Sequence, residues 1–216
     1  MSEITVRTLG LQDYEPVWRA MQRFTDQRSP ATADEIWFCE HRPVFTLGVN
    51  AAREHLLAPG DIPVVQIDRG GQVTYHGPGQ LMIYPLLDIR RAGIGVRSLV
   101  TALEQCVVDL VAESGITAAS RCDAPGVYVA GVKLASVGLR IRRGASFHGM
   151  ALNVDLDLEP FARINPCGFA NLEVTDMRRL GTVHDLALVQ ARLLPHLLRH
   201  LGLQDASLAA GPSDLG

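Results

Sequence analysis

The segment Gly126–Val154, GVYVAGVKLASVGLRIRRGASFHGMALNV, decides the fold class. Ala130-Gly131 reads as a tight hairpin turn, and a chain that reverses in so few residues pairs its flanking strands antiparallel. The β-favouring runs in this segment are Gly126–Val129, Val132–Ile141 and Ser146–Val154. The centre of the chain therefore predicts antiparallel pairing.

Further strands and three helices are predicted on either side of this segment. The strands are Ile36–Glu40, Val64–Ile67 and Gln80–Leu86. The first predicted helix is Tyr14–Phe24, and the second is Ser98–Glu113, which Gly115 terminates. The third begins after Thr182, with Asp185 in capping-box position, and extends to about Leu201 with a kink at Pro195. Because strands and helices are mixed without regular βαβ alternation, the fold class is predicted to be α+β, with helices against a mixed, mostly antiparallel β-sheet.

Length and composition bound the function. The chain has 216 residues, 47% of them hydrophobic, which is enough for one domain with its own core, and we expect that domain, a catalytic domain, over residues 1–204. The residues of 205–216 are small and polar, so we expect a flexible tail there. A net charge of -3 gives no sign of nucleic-acid binding. We expect no signal peptide and no membrane span, because the first residues lack a basic region followed by an apolar one and no apolar run is long enough.

The four cysteines are scattered, with no CxxC pair and no histidine at metal-ligand spacing. This pattern disfavours a disulfide framework or a metal site and favours a reducing cytoplasm. Cys39, Cys106 and Cys122 are interpreted as structural. Cys167 differs because Asn-Pro-Cys-Gly places it between a proline that fixes φ and a glycine that frees it, which exposes one side chain.

Lys133 is unusual for a strand residue. Alternation puts it on the same face as the apolar residues Ala135, Val137, Leu139 and Ile141. Two interpretations follow: either its stem snorkels to the edge of the sheet, or its amine is desolvated toward the neutral, basic form. A neutral amine beside a thiol acts as a general base for a nucleophile.

The stretch RGGQVTYHGPGQ, Arg69–Gln80, carries two glycine clusters around a short β-favouring run. It lacks the GxxxxGK[ST] and GxGxxG spacings of phosphate-binding loops. His76 fits a turn residue and a ligand-contacting residue equally well. No serine occupies a nucleophile elbow, and no carboxylate pair is obvious.

Five motifs in a fixed order resemble the lipoyl(octanoyl) transferase family. They are HRPVFTLG (His41–Gly48), RGGQVTYHGPGQ, GVKLASVGLRI, FHGMALNVDLDL, and INPCG followed by VTD. The resemblance runs from about Glu40 to Met177. One departure is VTD, where the family usually has VTS; Asp176 caps a helix N-terminus as serine does. The fold that this resemblance implies is that of the biotin/lipoate ligase catalytic domain.

The resemblance implies transfer of an octanoyl group from acyl carrier protein to a lysine amine of a lipoyl domain. Cys167 would carry the acyl thioester, and Lys133 would activate it. The implied substrate-binding residues are Arg69, Gly70, Gly71, Gln72, Val73, Thr74, Tyr75, His76, Ser136, Val137, Gly138, Gly149, Met150 and Ala151. We expect the glycines of the Arg69–Gln80 stretch to let backbone pass along a thin alkyl chain, where larger side chains would block the channel.

The expected partners are octanoyl-acyl carrier protein as donor and, as acceptors, the lipoyl domains of 2-oxoacid dehydrogenase complexes and the glycine cleavage H protein. No cofactor or metal is expected, and the enzyme is expected to be a monomer. Two alternatives stay open. An ATP-dependent lipoate or biotin ligase would not need Cys167, and the GRGRxGR-type loop of biotin ligases is absent. A non-catalytic acyl- or carrier-binding module is disfavoured because Cys167 and Lys133 occur together in their family contexts.

Overall fold

The computed structural model of the chain describes residues 4–170, 172–203, 206–209 and 211, apart from the side chain of Cys167. Its strands are β1 (Ile4–Gln12), β2 (Glu35–His41), β3 (Val44–Leu47), β4 (Val64–Gln66), β5 (Val73–His76), β6 (Gln80–Leu86), β7 (Ala118–Ser120), β8 (Gly126–Val129), β9 (Val132–Arg142), β10 (Ala145–Asn153) and β11 (Ala206–Ala209). Its α-helices are α1 (Tyr14–Asp26), α2 (Val96–Ala112) and α3 (Leu186–His200). Short 3-10 turns are formed by Arg53–His55, Glu159–Arg163 and Pro166–Gly168.

The strands form two sheets. The large sheet has the order β11-β1-β2-β6-β10-β9-β8-β7, and the small one has the order β4-β3-β5. From β2 to β7 every neighbouring pair in the large sheet is antiparallel, while β1 is parallel to both of its neighbours. The predicted α+β class with a mixed, mostly antiparallel sheet is confirmed, and so is the hairpin at Ala130-Gly131.

The two faces of the large sheet are covered by different helices. Apolar residues of α2 and α3, such as Leu103 and Leu193, pack with Ile36, Ile83 and Leu152 on one face. On the other face α1 packs against side chains of β2, β6 and β10. The small sheet has a core of its own, to which the Glu159–Arg163 turn contributes an aromatic ring. Among the described residues no helix is both long and apolar enough to cross a membrane.

Helix ends follow the sequence signals. The Asp185 side chain accepts a hydrogen bond from the Leu188 N–H at the start of α3, and Gly115 adopts a positive φ of 75° just after α2. Asp176 also caps, but its carboxylate accepts the Arg179 N–H at an isolated turn and not at an α-helix.

Five strands were not predicted from the sequence: β1, β3, β5, β7 and β11. The strand β3, VFTL, is buried throughout and shows no alternation of polar and apolar residues. The strand β5, VTYH, does alternate, but with four residues it was noted only as a β-favouring run. The strands β7 and β11 are short and lie at the edges of the large sheet, where local patterning is weak. The strand β1 has nine residues and a neighbour on each side, and the alternation of Ile4 and Val6 with polar residues was overlooked.

The expected flexible tail over 205–216 is wrong for Ala206–Ala209, which form β11 and pair with β1 from Ile4↔Ala206 to Arg7↔Ala209. The physical reason is that the unpaired backbone edge of β1 accepts another strand whatever its side chains are. Residues 205, 210 and 212–216 lie outside the described part of the chain.

Candidate active site

A cavity of about 160 Å³ lies where β5 and the residues that precede it face β6, β9 and β10. It gathers three segments that are far apart in the chain. The sequence-predicted residues that line it are Arg69, Gly70, Gly71, Gln72, Val73, Thr74, His76, Ser136, Val137, Gly138, Gly149, Met150 and Ala151. The wall is predominantly apolar, as is typical of small-molecule sites.

Tyr75 is the predicted substrate-binding residue that the structure places elsewhere. Its ring packs against Phe45 and Phe161 in the core of the small sheet. Because β5 is a strand, Tyr75 faces the opposite side from Thr74 and His76, which line the cavity. The ring of Tyr75 therefore lies in the core of the small sheet, and a contact between Tyr75 and the substrate stays a prediction.

Strand pairing brings the other two predicted segments together. In the β9–β10 ladder Ser136 lies opposite Ala151, and Val137 lies opposite Met150. Gly138 lies opposite Gly149 in the same register. One hairpin thus presents two sequence motifs to the same cavity, although the residues of each pair are between 11 and 15 positions apart.

Gly138 and Gly149 in this wall leave room for neighbouring segments of the protein. A Cβ on Gly149 would overlap the carbonyl oxygen of Ile83 on the neighbouring strand. A Cβ on Gly138 would lie 3.1 Å from Cδ of Arg69, whose backbone segment crosses over the sheet there. Both glycines therefore allow protein segments to approach each other closely, and this approach shapes the cavity wall.

The guanidinium of Arg69 is buried and ties the glycine-rich segment to β3. Nη2 donates to the carbonyl oxygen of Thr46 at 2.8 Å and to its Oγ1 at 3.0 Å, while Nη1 donates to the Gly70 carbonyl oxygen at 2.9 Å. Arg69 thus fixes the loop backbone and adds positive charge at the cavity wall.

His76 is a buried, neutral polar group at the end of β5. Its Nδ1 lies 2.8 Å from Oε1 of Gln80, and its Nε2 lies 3.1 Å from Oγ1 of Thr46. Burial lowers the pKa of His76 well below its usual value, and the nearby His41 lowers it further. His76 ends the strand β5 and lines the cavity, and its role as a ligand-contacting residue stays a prediction.

Lys133 is withdrawn from solvent, with only 1% of the residue exposed. Nζ donates to the carbonyl oxygen of Pro125 at 3.2 Å and lies 5.2 Å from the centre of the Tyr128 ring. The stem therefore does not snorkel, and of the two interpretations the buried amine is observed. Pro125 lines the cavity, so the amine lies at its edge.

The backbone of Cys167 belongs to the 3-10 turn Pro166–Gly168, and its side chain lies outside the described part of the structure. Gly168 has a φ of 79°, and a Cβ there would lie 3.2 Å from Cγ of Gln72. Phe169, which follows the turn, lines the cavity. The turn thus borders the cavity at Gln72 and Phe169.

The other three cysteines, which the sequence analysis interpreted as structural, differ in burial. Cys39 and Cys106 are buried, and burial raises the pKa of both thiols. Cys122 is exposed. Among the described residues no group of three or more His, Cys, Asp or Glu side chains is arranged to hold a metal ion.

Several cavity residues were missed by sequence reasoning. They are Tyr14, Met82, Tyr84, Asp123, Ala124, Pro125, His148 and Phe169. The one with a local signal is His148, in the FHGMALNVDLDL motif beside Gly149. Its backbone has a φ of 58°, and its Nε2 lies 2.9 Å from Oδ1 of Asp68. Tyr14 and Tyr84 gave no signal, because they read as ordinary core aromatics.

Known proteins resemble the chain over nearly its full length. The model of the lipoyl protein ligase A/B catalytic domain matches residues 13–198. The chain belongs to this family. An octanoyltransferase of Pseudomonas fluorescens (strain SBW25) is 59% identical over 208 residues, which cover 96% of this chain and 97% of the relative.

A second relative and a solved structure extend the comparison. An octanoyltransferase of Xanthomonas campestris pv. campestris (strain 8004) is 59% identical over 198 residues, covering 92% of this chain and 85% of the relative. The crystal structure of a lipoate-protein ligase A bound with ATP superposes with a TM-score of 0.81 at 14% identity, covering 100% of this chain and 91% of that one. At that identity the likeness establishes the fold alone.

Proposed function

We propose that this member of the lipoyl protein ligase A/B catalytic-domain family is an acyltransferase that moves an octanoyl group from acyl carrier protein to a lysine of a lipoyl domain. The observation that carries the proposal is one cavity bordered at Pro125 by the Lys133 amine and at Gln72 and Phe169 by the Cys167 turn. The near full-length relatives named octanoyltransferase support the same reaction.

The reaction proceeds in two balanced steps. The Cys167 sulfur attacks the carbonyl carbon of the donor thioester and forms a new C–S bond. The bond to the carrier's sulfur breaks, and Lys133 takes the Cys167 proton and returns it to the departing thiolate. The acceptor lysine amine then attacks the acyl-enzyme, a C–N bond forms, and the Cys167 sulfur leaves with the surplus proton.

The energetics suit a cysteine intermediate. Exchange of one thioester for another is close to thermoneutral, whereas formation of the amide runs downhill. A free thiol titrates near ~8.5, so it needs an adjacent base to react at neutral pH. The buried amine of Lys133 supplies that base at the edge of the cavity.

A ligase on the same fold is the second candidate, because the lipoate-protein ligase A structure has the same architecture. A ligase activates a free acid with ATP and forms an acyl-adenylate, so it does not need an acyl-cysteine. The relatives at 59% identity favour the transferase. The finer parts of the proposal are the carrier-protein donor, lipoyl domains of 2-oxoacid dehydrogenase complexes and glycine cleavage H protein as acceptors, action as a monomer, and a cytoplasmic location.

Intact-mass spectrometry after mixing with octanoyl-acyl carrier protein, without ATP, tests the proposal. We expect one octanoyl adduct in the wild type and none in Cys167→Ala. Cys122→Ala is the matched control, because Cys122 is exposed and would be the first site of non-specific acylation. Addition of a lipoyl domain should discharge the adduct and increase the mass of the acceptor. An adduct that persists in Cys167→Ala, or a strict requirement for ATP, would contradict the proposal.

Lys133→Arg separates proton transfer from charge. Arginine keeps the positive charge but does not deprotonate in proteins. If the amine moves protons, Lys133→Arg loses turnover about as severely as Lys133→Ala. If arginine retained most of the wild-type rate, the lysine would act by charge alone.

A further inference from the structure

Glu104 places a buried carboxylate on α2, with 8% of the residue exposed. Its Oε1 accepts a hydrogen bond from the N–H of Gly126 at 2.8 Å. The Lys133 amine donates to the carbonyl oxygen of Pro125 at 3.2 Å. The Pro125 carbonyl and the Gly126 N–H are the two ends of one peptide group, so the acid and the amine hold opposite ends of the same dipole.

The polarity of this arrangement is favourable at both ends. A peptide group carries a dipole of about 3.5 D with its positive end at N–H and its negative end at C=O. The carboxylate meets the positive end, and the Lys133 amine donates to the negative end, where the positive charge it gains on protonation is stabilised. Burial raises the pKa of Glu104, while the Gly126 N–H and the charge of Lys133 oppose that rise, so the two side chains are electrostatically coupled.

Gly126 lies in a crowded part of the sheet. Its φ is 145°, and a Cβ there would overlap the carbonyl oxygen of Ala135 and lie 2.9 Å from Cε of Lys133. The lysine stem therefore runs directly along the peptide group that Glu104 holds. A carboxylate buried on a mostly apolar helix face lowers stability unless it is paired. The Glu104 carboxylate is paired with the Gly126 N–H, beside the lysine stem.

We propose that Glu104 is a positioning residue for Lys133, which holds the lysine amine at the edge of the cavity through the Pro125–Gly126 peptide and stabilises the positive charge that the amine acquires. The inference rests on the proposed function, in which Lys133 receives the proton of Cys167. Glu104 is not among the residues that line the cavity, so it acts through the lysine and not on the substrate.

Other groups around Lys133 differ from Glu104 in charge or exposure. Tyr128 presents its ring to the amine, and Arg121 lies 5.0 Å from the centre of the same ring. Asp123 is exposed and paired with Arg121, and Glu173 contacts Lys133 through backbone atoms. Cys167 belongs to the turn that borders the cavity at Gln72 and Phe169. Glu104 is the buried carboxylate of this set.

Glu104→Gln is the decisive variant, because glutamine keeps the size and the acceptor for Gly126 but removes the charge. The readout is the pH dependence of Cys167 alkylation by iodoacetamide, measured on the Cys167 peptide by mass spectrometry in a Cys122→Ser background. Loss of a nearby negative charge lowers the pKa values of a coupled thiol–amine pair, so the profile should move to lower pH by about one unit. An unchanged profile would overturn the proposal.

Three comparisons make the result specific. Glu113→Gln, which removes a carboxylate just beyond the end of the same helix, should leave the profile unchanged. Glu104→Asp retains the charge and should keep the wild-type profile; a shift equal to that of Glu104→Gln would count against the electrostatic role. In a Lys133→Met background Glu104→Gln should produce a much smaller shift, because the coupling runs through the lysine. An equal shift there would show that Glu104 acts on the thiol directly.

The same variants separate this inference from the proposed function. Wild-type protein that forms no octanoyl adduct contradicts the octanoyl-transfer proposal. Wild-type protein that forms the adduct, together with an unshifted Glu104→Gln profile, contradicts only the role of Glu104. In steady state Glu104→Gln should leave KM for the carrier donor unchanged to within about twofold and shift the acidic limb of kcat to lower pH.

Discussion

Mild acid should destabilise the fold through a buried histidine behind the cavity. His41 is 1% exposed, with Nε2 2.8 Å from the Tyr84 hydroxyl and Nδ1 3.3 Å from the Gln12 carbonyl oxygen. Burial lowers the pKa of His41 from 6.5 to about 4, although the backbone contact with Gln12 partly opposes the shift. The native protein therefore keeps this imidazole neutral at pH values where the unfolded chain protonates it.

The direction of the pH effect on stability depends on which state of the protein binds more protons. Between the unfolded pKa of 6.5 and the folded pKa of about 4 the unfolded state binds more protons, so stability falls as pH falls through this window. From those two values, His41 alone should reduce the free energy of unfolding by ~2 kcal/mol between pH 7 and pH 5. The pKa values of His76 and His148 are also lowered by burial, so these groups add to the loss.

Urea unfolding at pH 7 and pH 5 measures the effect. His41→Gln, whose amide can still reach Tyr84, should lose less stability than the wild type over that interval, by ~2 kcal/mol. His184→Gln is the matched control, because it removes an exposed imidazole outside the buried cluster. If wild type and His41→Gln lost the same stability between pH 7 and pH 5, the buried, neutral state of His41 would be refuted.

Two further predictions concern stability. Gly149→Ala should unfold the protein or lower its melting temperature severely, because the added Cβ would overlap the Ile83 carbonyl oxygen. Gly70→Ala is the control and should be tolerated, because its Cβ would lie 3.5 Å from the Leu139 carbonyl oxygen. Equal melting temperatures of the two variants would contradict this account of the cavity wall. Asp185→Ala removes the N-cap of α3 and should lower the free energy of unfolding by about 1 kcal/mol, as measured by urea unfolding. Asp185→Asn should retain most of the wild-type stability. An alanine variant as stable as the wild type would show that the cap does not stabilise the protein.

Much of the fold was predictable because its signals are local. The three helices and the six predicted strands appear within a few residues of their predicted bounds, since periodicity and caps are written in neighbouring residues. The four-residue strand β3 was missed because a short run that is buried on both faces carries no period, and β5 was noted only as a β-favouring run because its alternation extends over four residues.

The candidate site was predictable to a similar extent, and its errors have similar causes. The motifs identified nearly all of one wall of the cavity. The motif did not indicate that the Tyr75 ring packs in the core of the small sheet, because a contiguous motif reads as one surface although a strand sends alternate side chains to opposite faces. Tyr14 and Tyr84 were missed because nothing in their local sequence separates a cavity wall from a core.

The sequence by itself determined the fold class, the helices, the central hairpin and the motifs that carry the family resemblance, because each depends on residues close together in the chain. Only the tertiary structure decided which residues share the cavity, why Gly138 and Gly149 lack side chains, and that Glu104 and Lys133 hold one peptide group between them. Those features depend on strand register and on helix packing across the sheet, which bring positions 104, 126 and 133 together from three separate elements. No local sequence pattern predicts these contacts, because they form only when the whole core packs.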